Sequence, residues 1–371
     1  MRVLDLSRVV SGPFAGRMLS DLGADVVKLE PPDGDLSRVW GQSRHGLSGF
    51  YTQQNAGKRN VCVDLKSPEG ARLTRDLAAV ADVVIENFRP GVMDRLGLGW
   101  PTLAAANPRL VLLSITGFGQ TGPDADRQAY APVIHAEAGL IARQADFDAD
   151  APSDPILSIA DYNGGLHGLV ALLAALLQRE RTGAGQWIDL SMRDAMFVTD
   201  DYAHHALDGE PIVRLGGQVF DAAGGAILVT GEFKHIWRQL SRVYALSDGL
   251  EPDAPLENKI AARRATANTW MRSFADRAEL TAALEKANLA WAAVRTHDDA
   301  FTRARVADVD DRGGGQRRVI DSPYRFSSAA AGVRGPAAHR GEHNAEVLRE
   351  WLGLEAAAVD TLVANGALLH E

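Results

Sequence analysis

The first half of the chain alternates between two apolar patterns. The runs "RVLDLS" (2–7), "DVVKLE" (25–30), "NVCVDL" (60–65), "DVVIEN" (82–87) and "LVLLSITG" (110–117) are apolar at adjacent as well as alternate positions. Strands buried on both faces of a parallel sheet have that pattern. Between them, apolar residues recur at helical spacing. Phe14, Ala15, Met18, Leu19 and Leu22 predict a helix that Pro13 suits at its first turn and Gly23 ends. "SPEGARLTRDLAAVA" (67–81) predicts a second helix, with Ser67 as cap and Glu69 as early acid, and "TLAAANP" (102–108) a third. Strands alternating with helices predict an α/β domain whose parallel sheet is covered on both faces.

Residues 161–208 read as helical, interrupted by "RTGAGQWIDLS", where "WIDLS" adds one more strand. The most apolar run, "GLVALLAALL" (168–177), is ten residues long. A membrane span needs about twenty, so a core helix is expected and no membrane contact. The pattern changes near residue 209. "GGQVFDAAGGAILVTG" (216–231) predicts a hairpin, and helices follow in "KHIWRQLSRVYAL", "TANTWMRSFADR" and "RAELTAALEKAN". A smaller α+β domain is therefore expected, and "GEHNAEVLREWLGL" (341–354) adds an amphipathic tail helix.

Composition narrows the function. The 371 residues carry a net charge of −9, which argues against general nucleic-acid binding. An anionic ligand would need a local cluster of arginine and lysine. Cys62 is the only cysteine, so no intrachain disulfide forms, and a cytoplasmic location is expected. The chain opens directly on strand pattern, without the apolar stretch of a secretory leader. No metal-ligand constellation stands out, and none is expected at "HHALD" (204–208).

"SGPFAGRMLSDLGADVVKLEPP" (11–32) has nearly the outline of a dinucleotide-binding unit, with Glu30 at a plausible ribose distance. Its glycines, Gly12 and Gly16, are spaced G-x-x-x-G, and Phe14 occupies the position where a pyrophosphate needs bare backbone. A tight turn with close helix packing is the better reading. "PPDGD" then turns the chain from Glu30 toward Arg38.

Five blocks carry a family resemblance: "LDLSRVVSGPFAGRMLSDLGADVVKLEPPDGD", "NAGKRNVCVDLKSPEG", "ENFRPGVMDRLGLGW", "NPRLVLLSITGFGQTGP" and "DYNGGLHGLVALLAALLQRERTGAGQWIDLSMRDAM". In this order they closely resemble the family III CoA-transferases, a superfamily that includes formyl-CoA transferase, carnitine CoA-transferase and α-methylacyl-CoA racemase. The match resumes with "GGGQRRVIDSPYRFS" and "GEHNAEVLREWLG". The resemblance implies a Rossmann-like large domain built from residues 1–208 and 323–371, and a small α+β domain over 209–322. It also implies an interlocked homodimer. Coenzyme A thioester would be a substrate, with no cofactor bound permanently, and a carboxylic acid would be the acceptor.

Asp161, in "LSIADYNGGLHG", starts a long apolar helix. As a residue alone it suits an N-cap. The same place suits a carboxylate nucleophile whose ionised form the helix N–H groups favour, with Gly164 and Gly165 admitting a bulky thioester. The resemblance implies the nucleophile, and makes Gly216, Gly217 and Gln218 candidate oxyanion donors. After "GQTGPDADRQA" the racemase branch has a proton-exchanging histidine, whereas this chain has Tyr130, as many transferases do. A tyrosine of ordinary pKa is a poor proton shuttle, which favours transfer. Ala131 stands where the family usually has an acid. His135 is expected to be structural, and Glu232 is a weak counterpart of a racemase glutamate. Two alternatives stay open: a racemase or epimerase acting by α-proton exchange, and a non-catalytic CoA-binding protein of the same fold. By resemblance, CoA would meet Val10, Arg38, Val63, Lys66, Asn87, Phe88 and Arg95, with Arg89 adjacent. Arg38 and Lys66 would meet phosphates.

Overall fold

The computed structural model describes residues 1–211 and 216–369, which divide into two compact units. The first comprises Met1–His204 and Arg305–Glu371, the second His205–Ala304.

The first unit is built on one sheet. Its parallel strands are β1 (Arg2–Asp5), β2 (Asp25–Glu30), β3 (Arg59–Val63), β4 (Val83–Glu86), β5 (Val111–Thr116) and β6 (Gln186–Ser191). They lie in the order β3-β2-β1-β4-β5-β6, and the short strand Leu368–Leu369 closes the β3 edge antiparallel. Alternate residues of a strand point to opposite faces of the sheet. Leu4, Val27, Val61, Val84 and Leu112 face one core, where they meet Leu73 and Leu77 of the helix Pro68–Ala79. Ser67 caps that helix by accepting from Gly70 N. Val347, Leu348 and Trp351 of the tail helix Asn344–Leu352 complete this core, so the chain's end returns to the sheet its beginning built.

Val3, Val26, Val83, Val111 and Leu113 face the other core, covered by two helices. These are α1 (Ser11–Asp21) and a longer helix, Ile159–Thr182, which follows a short one, Ala131–Glu137. We label the short helix α2 and the long one α3. By length and composition α3 could cross a membrane, yet it is packed on α1, β5 and β6 and buries Leu169, Leu172 and Ala175 in the core. Helix α2 was not evident from the apolar spacing.

The glycines of "GPFAG" serve packing. A Cβ at Gly12 would lie 2.2 Å from Ser7 Cβ, and one at Gly16 would lie 2.6 Å from Asp5 Oδ2. They let α1 descend onto β1 and onto the buried Lys58–Asp5 ion pair (2.8 Å).

The second unit contains the expected hairpin, β7 (Gly217–Ala222) with β8 (Gly225–Thr230), joined antiparallel through Ala223 and Gly224. Gly224 takes φ +75°, the left-handed conformation that such turns require. β9 (Trp291–Ala293) pairs with β8, and the helices Phe233–Tyr244, Leu256–Arg272 and Arg277–Lys286 pack on this sheet. The middle helix begins ten residues before the expected start at Thr266 and ends earlier, at Arg272. The hairpin Val306–Asp310 with Gln316–Ile320, expected in the small domain, belongs to the first unit. Arg317 Nη1 anchors it by donating to Leu47 O (2.8 Å) and Thr52 Oγ1 (2.9 Å).

Candidate active site

The sequence order of the strands reverses at β1, with β2 on one side and β4 on the other. In open α/β sheets the loops at the carboxyl ends of the strands part at such a switch point and leave a crevice. Here the crevice is a cavity of about 320 Å³, walled by the loops after β1 and β4, the end of β5 and the start of α3. Six of the residues singled out from sequence line it: Val10, Asn87, Phe88, Arg89, Tyr130 and Asp161.

Asp161 is the third residue of α3, and Ser158 occupies the N-cap position. The N-cap role suggested for Asp161 is therefore corrected. Among the described residues no group donates a hydrogen bond to its carboxylate, and burial pushes its pKa up to about 7. Burial outweighs the helix N-terminus, which alone would favour the ionised form. The glycines that follow it are sites of close packing. A Cβ at Gly164 would lie 2.9 Å from Met192 Cγ, and one at Gly165 would lie 2.7 Å from Ser11 O and 2.9 Å from Phe14 Cδ1. They let α3 seat closely against α1 and the segment after β6. Phe14 meets Tyr162 edge-on, with ring centroids 5.0 Å apart.

The loop between β1 and α1 is held from below. Val9 has φ +70°, a left-handed conformation strained for a β-branched residue. Both carboxylate oxygens of Asp35 accept from Val9 N at 3.2 Å. Asp35 is itself paired with buried Lys28 (3.0 Å), whose Nζ also donates to Ser7 O (2.8 Å). Burial raises the Asp35 pKa, but Lys28 and the Ser37 donors more than offset this and hold it at about 2. Asn87 braces the same loop from the side, accepting from Arg8 N and donating to Arg8 O, each at 2.8 Å. Glu86 holds the neighbouring turn by accepting from Phe88 N (2.8 Å), and burial pushes its carboxyl up to about 7.

Charge in the cavity comes partly from a residue that sequence reasoning missed. The Arg8 guanidinium lies over the Phe88 ring, 5.4 Å from its centroid. Arg8 and Arg89 both line the cavity, and among the described residues neither has a carboxylate within ion-pair distance. The placement of Arg8, directly beyond the strand at the switch point, was the available signal. Arg127 also lines the cavity, but Asp124 and Glu137 pair with it.

The structure gives Arg38 another task than the phosphate contact expected of it. Its buried guanidinium grips Glu30 through Nε (2.6 Å) and Nη2 (2.8 Å) and stacks on Tyr51 at 3.9 Å. Val63 lies fully inside the core. Lys66 is exposed on the turn after β3, and Arg95 ends the turn of helix Val92–Arg95. None of these four lines the cavity.

Tyr130 is 59% exposed at the N-cap of α2, and Ala131, 1% exposed, adds its methyl to the core where an acid was expected. His135 is fully buried. Its Nε2 accepts from Ala160 N (3.1 Å), and its Nδ1 meets Asp154 Oδ1 (2.8 Å). Gly216 precedes β7, and Gly217 and Gln218 open it, with Gln218 Oε1 accepting from Arg264 Nη1 (2.9 Å). Glu232 is the N-cap residue of helix Phe233–Tyr244 and makes no side-chain cap bond. Among the described residues no group of three His, Cys, Asp or Glu side chains could hold a metal ion.

A doubly covered parallel sheet with uncompensated arginines at its switch point defines an α/β protein suited to an anionic, nucleotide-like ligand. The family is specific. The model of CoA-transferase family III matches residues 1–344, and the chain belongs to that family. The succinate–glutarate CoA-transferase of Agrobacterium fabrum is 31% identical, over 96% of each chain. The α subunit of succinyl-CoA–L-malate CoA-transferase from Chloroflexus aurantiacus is 32% identical, over 98% of this chain and 90% of its own. Among solved structures, a CAIB/BAIF family protein from Brucella suis is similar with a TM-score of 0.79 and 30% identity, covering 95% of this chain and 98% of its own. The protein is a family III CoA-transferase.

Proposed function

We propose that the protein moves CoA from an acyl-CoA to a carboxylic acid through a covalent intermediate on Asp161. The observation that carries this reading is the shared cavity of Asp161, Asn87, Phe88 and the unpaired Arg8 and Arg89. An Asp161 oxygen attacks the thioester carbonyl, the C–S bond breaks, and CoA leaves as thiolate from a mixed anhydride. The thiolate attacks the aspartyl carbonyl, which releases the donor acid and leaves an aspartyl-CoA thioester. The acceptor carboxylate attacks that thioester, CoA leaves again, and a second mixed anhydride forms. Attack of the thiolate on the acceptor's acyl carbon gives the new acyl-CoA and frees Asp161. Protons balance throughout. The low-dielectric setting that raises the Asp161 pKa also strips water from the carboxylate before attack.

The names of the relatives support dicarboxylic acids and their CoA thioesters as the first class to screen. Incubation with acyl-CoA followed by hydroxylamine or borohydride should leave a mass-detectable modification at Asp161. Asp161→Ala should lose transfer, and full activity in that variant would refute the mechanism. The oxyanion role of Gly216, Gly217 and Gln218 rests on the resemblance alone, and the kcat of Gln218→Ala tests it.

Racemisation has less support. Tyr130 stands where the racemase branch has histidine, and both His135 ring nitrogens are engaged elsewhere. Deuterium exchange at the α-carbon of a branched acyl-CoA without acceptor acid would reverse this preference.

A homodimer is part of the proposal. Leu166, Val170, Leu173 and Leu177 of α3 are exposed at spacings of four, three and four, an apolar stripe that a second copy would cover. Light scattering should give twice the chain mass, and Val170→Asp should lower it. A cytoplasmic location and the lack of membrane contact remain proposals, the former resting on the lone buried Cys62.

A further inference from the structure

We infer that His135 is a positioning residue for Asp161, an inference that rests on the nucleophile role proposed above. The first turn of a helix carries N–H groups without intrahelical partners, and an N-cap side chain ordinarily meets one of them. Ser158 is the N-cap residue of α3 but makes no side-chain cap bond. The task passes to another helix. His135, on α2, accepts the Ala160 N–H through Nε2 at 3.1 Å, and Ala160 is the residue directly before Asp161.

The geometry fixes the tautomer. A backbone N–H is met only by an acceptor, so Nε2 carries no proton. The ring proton then sits on Nδ1, which donates to Asp154 Oδ1 at 2.8 Å. Asp154 thus orients the ring, the ring holds the first turn of α3, and that turn aims a carboxylate that no described donor holds. His135 and Ala160 are both fully buried, so water does not replace the bond.

Two substitutions at one position separate this role from filling space. An asparagine amide reaches the place of Nδ1, and a glutamine amide reaches the place of Nε2. His135→Asn therefore keeps a partner for Asp154 and loses the acceptor for Ala160, whereas His135→Gln restores that acceptor. A nucleophile displaced by about 1 Å loses on the order of a hundredfold in rate. His135→Asn should lower kcat about ten- to a hundredfold, with KM for acyl-CoA changed less than about twofold and less adduct trapped on Asp161. His135→Gln should recover most of kcat. Wild-type kcat in His135→Asn, or equal kcat in the two variants, would overturn the inference.

Asp154 is 39% exposed, so Asp154→Ala serves if His135→Asn does not fold. It should lower kcat at unchanged KM, and an unchanged kcat would count against the inference. Asp161→Ala is measured alongside. Retained activity there removes the nucleophile reading itself, whereas its loss, with normal kcat in both other variants, overturns only the role of His135.

Discussion

Asp35 holds the backbone of Val9 in a conformation that valine rarely adopts. Its two carboxylate oxygens accept from Val9 N at 3.2 Å, and Val9 takes φ +70° at the wall of the cavity. A strained residue persists only where its surroundings over-determine it. Here Asp35 does so, fixed in turn by Lys28 and Ser37.

The folded pKa of Asp35, about 2, lies below its ordinary value of 3.8. A depressed carboxylate contributes stability that is present above its unfolded pKa and lost as pH falls through its folded one. The shift corresponds to about 2 kcal/mol at neutral pH. Asp35→Asn should therefore unfold at lower denaturant than wild type at pH 7, with the gap closing toward pH 2. A gap independent of pH would contradict this assignment. The same variant should raise KM for acyl-CoA as the loop relaxes.

Asp161 gives the opposite sign. Its folded pKa, about 7, lies above 3.8, so ionisation is disfavoured in the folded chain. Stability withheld by this group grows as pH rises from about 4 to about 7 and persists above that. Asp161→Asn should be more stable than wild type at pH 8 by about 1–2 kcal/mol, after allowing for its partial exposure, and no different at pH 4. Covalent trapping needs the carboxylate, so adduct yield should rise with pH through about 7. Glu86 also titrates near 7, so Glu86→Gln is the control and should keep that acid limb.

The inner strands were legible because they are buried on both faces, which gives "LVLLSITG" and "DVVIEN" their continuous apolar runs. The turn from Glu30 toward Arg38 was legible as well, because the partners are eight residues apart. What that proximity means was not legible, since only packing shows the guanidinium enclosed against Tyr51. Arg8 was missed because a single arginine after a strand has no periodicity to betray it. The work of His135 was hidden for another reason. Its partner Ala160 is twenty-five residues away, and the contact exists only once α2 packs on α3. The start of helix Leu256–Arg272 was missed because "LENKIAARRA" buries almost nothing.

Arg8 and Arg89 should govern ligand affinity. Each faces the cavity without a carboxylate partner, so each is available to an anionic group. Arg8→Ala and Arg89→Ala should each raise KM for acyl-CoA about tenfold, with the effect shrinking at high salt. Arg38→Ala should behave differently. It strands the Glu30 carboxylate inside the protein and should lower stability by about 3–5 kcal/mol. Thermal melting and Michaelis kinetics on the three variants separate the roles. A KM effect confined to Arg38→Ala, with none at Arg8 or Arg89, would reverse them.

Gly165 tests whether the glycines after Asp161 serve packing or ligand approach. An added methyl would lie 2.7 Å from Ser11 O and 2.9 Å from Phe14 Cδ1. The first is backbone at the start of α1, so it does not yield as a flexible side chain would. Gly165→Ala must therefore part α1 from α3, and overpacking of this kind destabilises by about 1–3 kcal/mol. α1 begins beside Val10 at the cavity and α3 carries Asp161, so the same displacement should lower kcat. Had the glycine served only to admit a thioester, the methyl would raise KM and leave the melting temperature unchanged. Melting and kinetics on this one variant decide between the two.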